Sequence, residues 1–128
     1  MTQTKAAKHS AAVSFKTVQK AQGDLGEVNA ITFLESQGLR LWVRNYRTKM
    51  GEIDLICWDQ SVLVFVEVRF RASISHGHPL ETVTFAKQNR LRRTAQHFLQ
   101  KHRLHVFTRF DVVALVSNED PCWVKGAF

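Results

Sequence analysis

Gly51-Glu52-Ile53-Asp54-Leu55-Ile56 and Val62-Leu63-Val64-Phe65-Val66-Glu67-Val68-Arg69 decide how this chain folds. Both runs are apolar enough for buried strands, and Asp59-Gln60-Ser61 between them suits a short hairpin connection. Each also carries an ionisable residue where a core strand would take Val or Leu. Burying a lone carboxylate costs several kcal/mol, on the order of a small domain's net stability. A chain that accepts this on two consecutive strands is holding something charged between them. Glu67 and Arg69 project to one side of their strand, about 6.6 Å apart. Leu63 and Phe65 share that side, so the polar pair ends an otherwise apolar face. The hairpin brings Asp54 to the same place. One carboxylate per strand offers hard oxygen ligands for Mg²⁺ or Mn²⁺, which keep water and phosphate oxygens in their other positions. A metal so held activates water and neutralises charge on a phosphodiester. The competing reading is a structural ion cluster, with Arg69 or Arg71 neutralising the two carboxylates.

Working outward, residues 1–17 read as a basic, flexible tail and residues 18–128 as a single domain. A helix extends to Gln37, with Leu25, Val28, Ile31, Phe33 and Leu34 on one face and Gly38 as its stop. Leu39 to Arg47 reads as a strand in which Leu41, Val43 and Asn45 alternate with Trp42, Arg44 and Tyr46. Lys49-Met50-Gly51 turns into the second strand, Glu52 to Trp58, and Val62 to Phe70 is the third. Arg71 to Leu80, with His76 and His78, is a loop. Thr82 or Glu81 opens a second helix to about Lys101, its stripe being Val83, Ala86, Leu91, Ala95, Phe98 and Leu99. Leu104 to Val116 is a fourth strand region, and Trp123 to Phe128 adds a short edge strand after the Asn118-to-Pro121 turn. The order α-β-β-β-α-β(-β) is an α/β fold, a mixed sheet flanked by helices.

The chain has 128 residues, enough for one core, and carries 18 Lys and Arg against 11 Asp and Glu, a net charge of +7. That excess favours a polyanionic partner, nucleic acid above all. The two cysteines, Cys57 in a strand and Cys122 beside Pro121, form no CxxC pair, so a reducing, cytoplasmic setting fits. No apolar run approaches the roughly 18 residues that span a bilayer, and no membrane association is expected.

The carboxylate pattern resembles the PD-(D/E)-x-K nuclease superfamily, restriction-endonuclease-like proteins with an α-β-β-β-α-β core. The match is Asp54, then Glu67-Val68-Arg69. A closer likeness runs through Gly26-Glu27, Asn45-Tyr46-Arg47, Gly51 to Ile56, Val64 to Arg71, Lys87 with Arg90-Leu91, and Arg109-Phe110-Asp111-Val112-Val113. These resemble the bacterial YraN family in order over roughly residues 20–128, a fold similar to archaeal Holliday-junction resolvases. The resemblance implies a metal-dependent DNA endonuclease-like protein, structure-selective on branched DNA, with Asp54 and Glu67 as metal ligands. DNA is favoured over RNA as the substrate, and a homodimer would serve a symmetric junction. Arg69 stands where the superfamily usually has Lys. Arg does not deprotonate at working pH, so it can orient phosphate but cannot act as a general base. Lys87 is the candidate for the missing ammonium, with Gln88 as a polar helper.

Other readings stay open beside these. Glu27 is either a third catalytic carboxylate or a solvated helix residue. Arg47, Arg71, Gln88 and Arg90 are candidate nucleic-acid contacts. With Arg44, Arg69, Arg92, Arg93, Lys101 and Arg103, the arginines among them form either a phosphate track or solvated faces. Glu52 reads as a surface residue near a turn. Asp111 reads as the partner of a nearby Arg. His97, His102 and His105 read as solvent-facing. Trp42 and Tyr46 share a strand face that either packs or stacks on bases, with packing the leading reading for Trp42 and Tyr46 undecided. Three functions compete: a nuclease, a catalytically inactive nucleic-acid-binding module on a nuclease scaffold, and a protein-interaction domain whose carboxylates are structural.

Overall fold

The computed structural model describes residues 15–71 and 83–128, with the side chains among them except those of residues 15–24 and 71. Residues 1–14 of the expected tail, the loop with His76 and His78, and the expected helix start at Glu81 or Thr82 lie outside the described residues. The elements are α1 (Phe15–Ser36), β1 (Arg40–Thr48), β2 (Gly51–Asp59), β3 (Val62–Arg71), α2 (Phe85–Lys101), β4 (Thr108–Val116) and β5 (Cys122–Val124). This is the expected order, with the first helix beginning at Phe15, inside the expected tail, and the fourth strand starting late. The strands form one mixed sheet, β1-β2-β3-β4-β5, in which β3 and β4 are parallel and the other neighbours antiparallel. A parallel pair needs a crossover, and α2 supplies it. No helix among the described residues is long and apolar enough to cross a membrane.

Period-2 patterning fills both faces of the sheet. On one face Leu55, Cys57, Val64, Val66, Val113 and Leu115 pack with Ala30 and Leu34 of α1. On the other, Ile56, Leu63, Phe65 and Val112 pack with Leu91, Ala95 and Phe98 of α2. Phe98 is fully buried, which contributes roughly 1.5–3 kcal/mol. The α1 face differs from the expected one. Gly26 and Ala30 lie against the sheet, whereas Leu25 and Val28 are 61% and 45% exposed. Small residues let the helix approach closely and turn its larger neighbours outward.

Both helices end in a Schellman turn. Leu39 N–H donates to the Leu34 carbonyl at 3.1 Å and Gly38 N–H to that of Glu35, with Gly38 left-handed at φ 97. At the end of α2, Leu104 donates to Leu99 and Arg103 to Gln100, and Arg103 is left-handed at φ 52 without being glycine. That cap turns Leu104 into the core and leaves residues 104–107 irregular, so β4 starts four residues later than the sequence pattern predicts. The start of α2 is set by Thr84, whose hydroxyl accepts from Lys87 N–H.

β1 breaks the expected alternation twice. A register shift between Leu41 and Val43 leaves Trp42 without a ladder partner, and Asn45 is left-handed at φ 53. Trp42, Val43 and Tyr46 consequently all meet the α2 side, while Arg44 and Asn45 reach Glu27 on α1.

The buried Asp111 ties the C-terminal end to the sheet. Its carboxylate accepts from Arg109 Nε and an Nη at 2.9 and 3.0 Å, from Trp123 Nε1 at 2.9 Å and from Gly126 N–H at 3.0 Å. Arg109 also reaches Asp59 at 3.1 Å, which fixes β4 to the β2–β3 turn. Asp111 thus pairs with an Arg, as expected. Asp111→Ala leaves the Trp123 indole N–H and the Gly126 N–H without their acceptor and the half-buried Arg109 guanidinium with Asp59 alone, and should cost roughly 2–4 kcal/mol, read as a lower urea midpoint.

Candidate functional site

The site forms where the sheet divides. β2 and β3 pair from Asp59↔Val62 to Leu55↔Val66 and no further. Beyond that point β2 continues with β1 to Gly51, and β3 continues with β4 to Arg71. Asp54 stands in the fork. Its Oδ2 accepts from Val68 N–H at 2.8 Å, so a side chain takes the place of a ladder carbonyl. Ile53 and Ile56 face the same side across this point, which regular alternation forbids.

Glu67 lies next along β3, on the α2 side and only 5% exposed. Lys87 Nζ of α2 is 2.7 Å from its Oε2, and Arg69 Nε is 3.3 Å from the same oxygen. Lys87 lies in the first turn of α2, where the helix dipole disfavours a cation. The ion pair with a nearly buried carboxylate offsets that cost. Asp54, Glu67, Lys87 and Arg90 all line one open cavity of about 200 Å³, with Gly51, Glu52 and Leu91. Gly51 is where strand meets helix. At φ 150, with a Cβ there only 3.1 Å from Thr94 Oγ1, any larger residue pushes on the helix that carries Lys87.

Burial pushes the Asp54 carboxyl up to about 7, and the charges of Glu67 and Glu27 push the same way. The Val68 N–H and the Lys87 ammonium oppose them. Two acids crowded in one cavity want a cation, and the donors present suit a hard divalent ion. The hydrogen bond to Asp54 engages Oδ2, and the closest approaches of Lys87 and Arg69 to Glu67 are both to Oε2. No group of three or more His, Cys, Asp or Glu converges among the described residues. Two carboxylates and an open cavity therefore fit Mg²⁺ or Mn²⁺, which retain waters, better than a closed cage ion such as structural Zn²⁺.

The other candidates take varied places. Glu27 Oε1 accepts from Asn45 Nδ2 at 3.1 Å and lies 3.5 Å from an Arg44 Nη. It stays outside the cavity lining, yet close enough to raise Asp54. The Glu27 partners depend on the left-handed Asn45, which a strand pattern does not announce. Arg47 pairs with Glu52 at 3.3 Å, both largely exposed. The Gln88 amide donates to the Val83 carbonyl at 3.2 Å. Arg71 closes β3, and its side chain lies outside the described atoms. Arg92 sits over the Phe110 and Phe128 rings and Arg44 over Glu27, so the basic residues divide among separate surfaces. His97, His102 and His105 are exposed, as expected, yet two of them are engaged: His97 Nδ1 is 2.6 Å from Tyr46 Oη, and His102 packs on Phe98. Burial pushes the Cys57 thiol up to about 12, which makes it an inert core residue.

The family profile described as "Uncharacterised protein family UPF0102" matches residues 26–115. A UPF0102 protein of Coxiella burnetii (strain RSA 331 / Henzerling II) is 47% identical over 115 residues, covering 88% of this chain and 95% of that one. One from Herminiimonas arsenicoxydans is 45% identical over 112 residues (88% and 90%), and one from Psychromonas ingrahamii 41% over 109 (84% and 89%).

The raised Asp54 carboxyl has a consequence for stability. The folded state keeps a proton there that the unfolded chain releases near its ordinary value of 3.8. The contribution is complete below about pH 4 and is lost as pH rises through about 7. In metal-free buffer, wild type should lose on the order of a few kcal/mol relative to Asp54→Asn between those limits, measured by urea unfolding at a series of pH values.

Proposed function

This chain belongs to the UPF0102 (YraN) family, and we propose that it hydrolyses phosphodiester bonds of DNA with a divalent cation held by Asp54 and Glu67. The observation that carries this reading is the meeting of those carboxylates in one cavity with Lys87 Nζ 2.7 Å from Glu67. An ammonium from α2 stands in for the strand lysine that Arg69 replaces. Mg²⁺ or Mn²⁺ held there would lower the pKa of a bound water and polarise a phosphoryl oxygen.

The chain's own groups do the rest. Lys87, fixed by Glu67, stabilises negative charge that develops on the phosphoryl oxygens. Arg69 remains protonated and orients the phosphate without taking a proton. Arg90, exposed on the cavity wall, receives a neighbouring phosphate, and the net charge of +7 draws the polyanion in. Glu27 acts on Asp54 through its charge, as a positioning residue. A homodimer would present two such cavities to a symmetric junction, and a cytoplasmic setting matches such a substrate.

One observation favours the binding-module reading instead. Glu67 already carries two cations, and a satisfied ion cluster needs no metal. Cleavage of labelled four-way-junction, flap, duplex and single-stranded DNA with Mn²⁺ or Mg²⁺ separates the two. Wild type should cut one class, and Glu67→Gln and Lys87→Ala should each lose about 10²–10³-fold in rate. Binding without metal-dependent cutting would leave the module; equal cutting by wild type and Glu67→Gln would sink the nuclease assignment.

A further inference from the structure

The surface where β1 meets α2, beyond the cavity, carries aromatic rings with basic groups beside them. Trp42 sits at the bulge of β1, 41% exposed. Its indole stacks on Trp58 at 5.8 Å and 23°, stands edge-on to Phe98 at 5.1 Å, and meets His102 at 5.2 Å. Further along the strand, Tyr46 packs edge-on to Phe98 at 5.0 Å and bonds His97, with Lys101 Nζ 5.9 Å from its ring centre. Each ring is fixed by another ring or a hydrogen bond before any ligand arrives. The bulge holds Trp42 partly open beside exposed His102, and exposed His97 and Lys101 flank Tyr46.

These groups align with the cavity. Lys87, Arg90, His97 and Lys101 recur along α2 at three- and four-residue steps or their sum, which is one helix face. The span from Lys87 to Lys101 is about 20 Å. From Arg90 to Lys101 the helix carries no acidic residue. A positive strip with a rigid aromatic platform favours a chain of phosphates whose bases are free to stack over a duplex, whose bases are already stacked on each other.

We propose that this strip binds single-stranded nucleic acid, with an unpaired base stacked on Trp42 and backbone phosphates on Lys101 and Arg90. Its length takes roughly four to six nucleotides at a stacked spacing of about 3.4 Å. The proposal rests on the nuclease reading for its direction. The strand runs from Trp42 to the cavity, so the substrate class is DNA with an unpaired segment beside the scissile bond.

The test uses the whole chain in EDTA, where binding is read apart from turnover. Anisotropy of a labelled 12-nucleotide single strand and the corresponding blunt duplex would be compared for wild type, Trp42→Ala, Trp42→Phe and Lys101→Glu. Wild type should prefer the single strand. Trp42→Ala should weaken it about 5- to 100-fold with duplex affinity within about twofold, and Trp42→Phe should restore most of the loss. Lys101→Glu changes only an exposed side chain, so it keeps the test open if Trp42→Ala fails to fold. It should weaken the single strand at least tenfold and flatten the salt dependence. Unchanged single-strand binding in Lys101→Glu or a folded Trp42→Ala, equal losses for strand and duplex, or no single-strand binding overturns the track. Duplex cleavage would survive that result and keep the nuclease reading. A working track without metal-dependent cutting would sink the nuclease reading alone.

Discussion

The architecture around the cavity depends on keeping two carboxylates out of water at the fork between β2 and β3. Asp54 cannot be left without partners there, so its Oδ2 takes the Val68 N–H that the interrupted ladder would leave bare. Glu67 cannot be left unneutralised, so α2 brings Lys87 to it against the dipole of its own first turn. Gly51 then has to be small for the helix to come that close. Each is a local cost that a purely structural chain would avoid by placing Val at both carboxylate positions.

Asp111 shows what the chain does with a buried acid meant only for structure. Arg109, Trp123 and Gly126 occupy both of its oxygens, and nothing is left to bind. Asp54 and Glu67 are treated differently. Their closest contacts converge on one oxygen each, Asp54 Oδ2 and Glu67 Oε2, and both line a cavity. The contrast within one sheet separates a carboxylate saturated by the fold from two that border open space. It also bears on Arg69, which a fixed positive charge makes a clamp on Glu67 and not a proton acceptor.

The strands were legible because period-2 alternation filled with Val, Ile, Leu and Phe has few other solutions, and Asp54, Glu67 and Asp111 stood out against it. The placement of Lys87 was legible only through resemblance, since no local pattern says which residue of a distant helix meets a strand. The α1 face was not legible. Leu25 and Val28 outweigh Gly26 and Ala30 on any hydrophobicity count, yet close packing against the sheet favours the small pair. Nor was the β1 bulge, whose effect is to send Trp42 and Val43 to the same face and Asn45 to Glu27. A one-residue irregularity reverses the side-chain assignments beyond it until a second one, here the left-handed Asn45, restores them. Trp42 and Tyr46 therefore still share one face, as alternation predicts, and what the pattern hides is that Val43 joins them.

The most direct test of the paired-carboxylate site is calorimetric titration of Mn²⁺ into wild type and Asp54→Asn at pH 8 and pH 6. Binding should occur in wild type, vanish in Asp54→Asn, and weaken at pH 6, where the Asp54 proton competes with the metal. Absence of binding at pH 8, or binding that Asp54→Asn leaves intact, would contradict the account and return the carboxylates to a structural ion cluster.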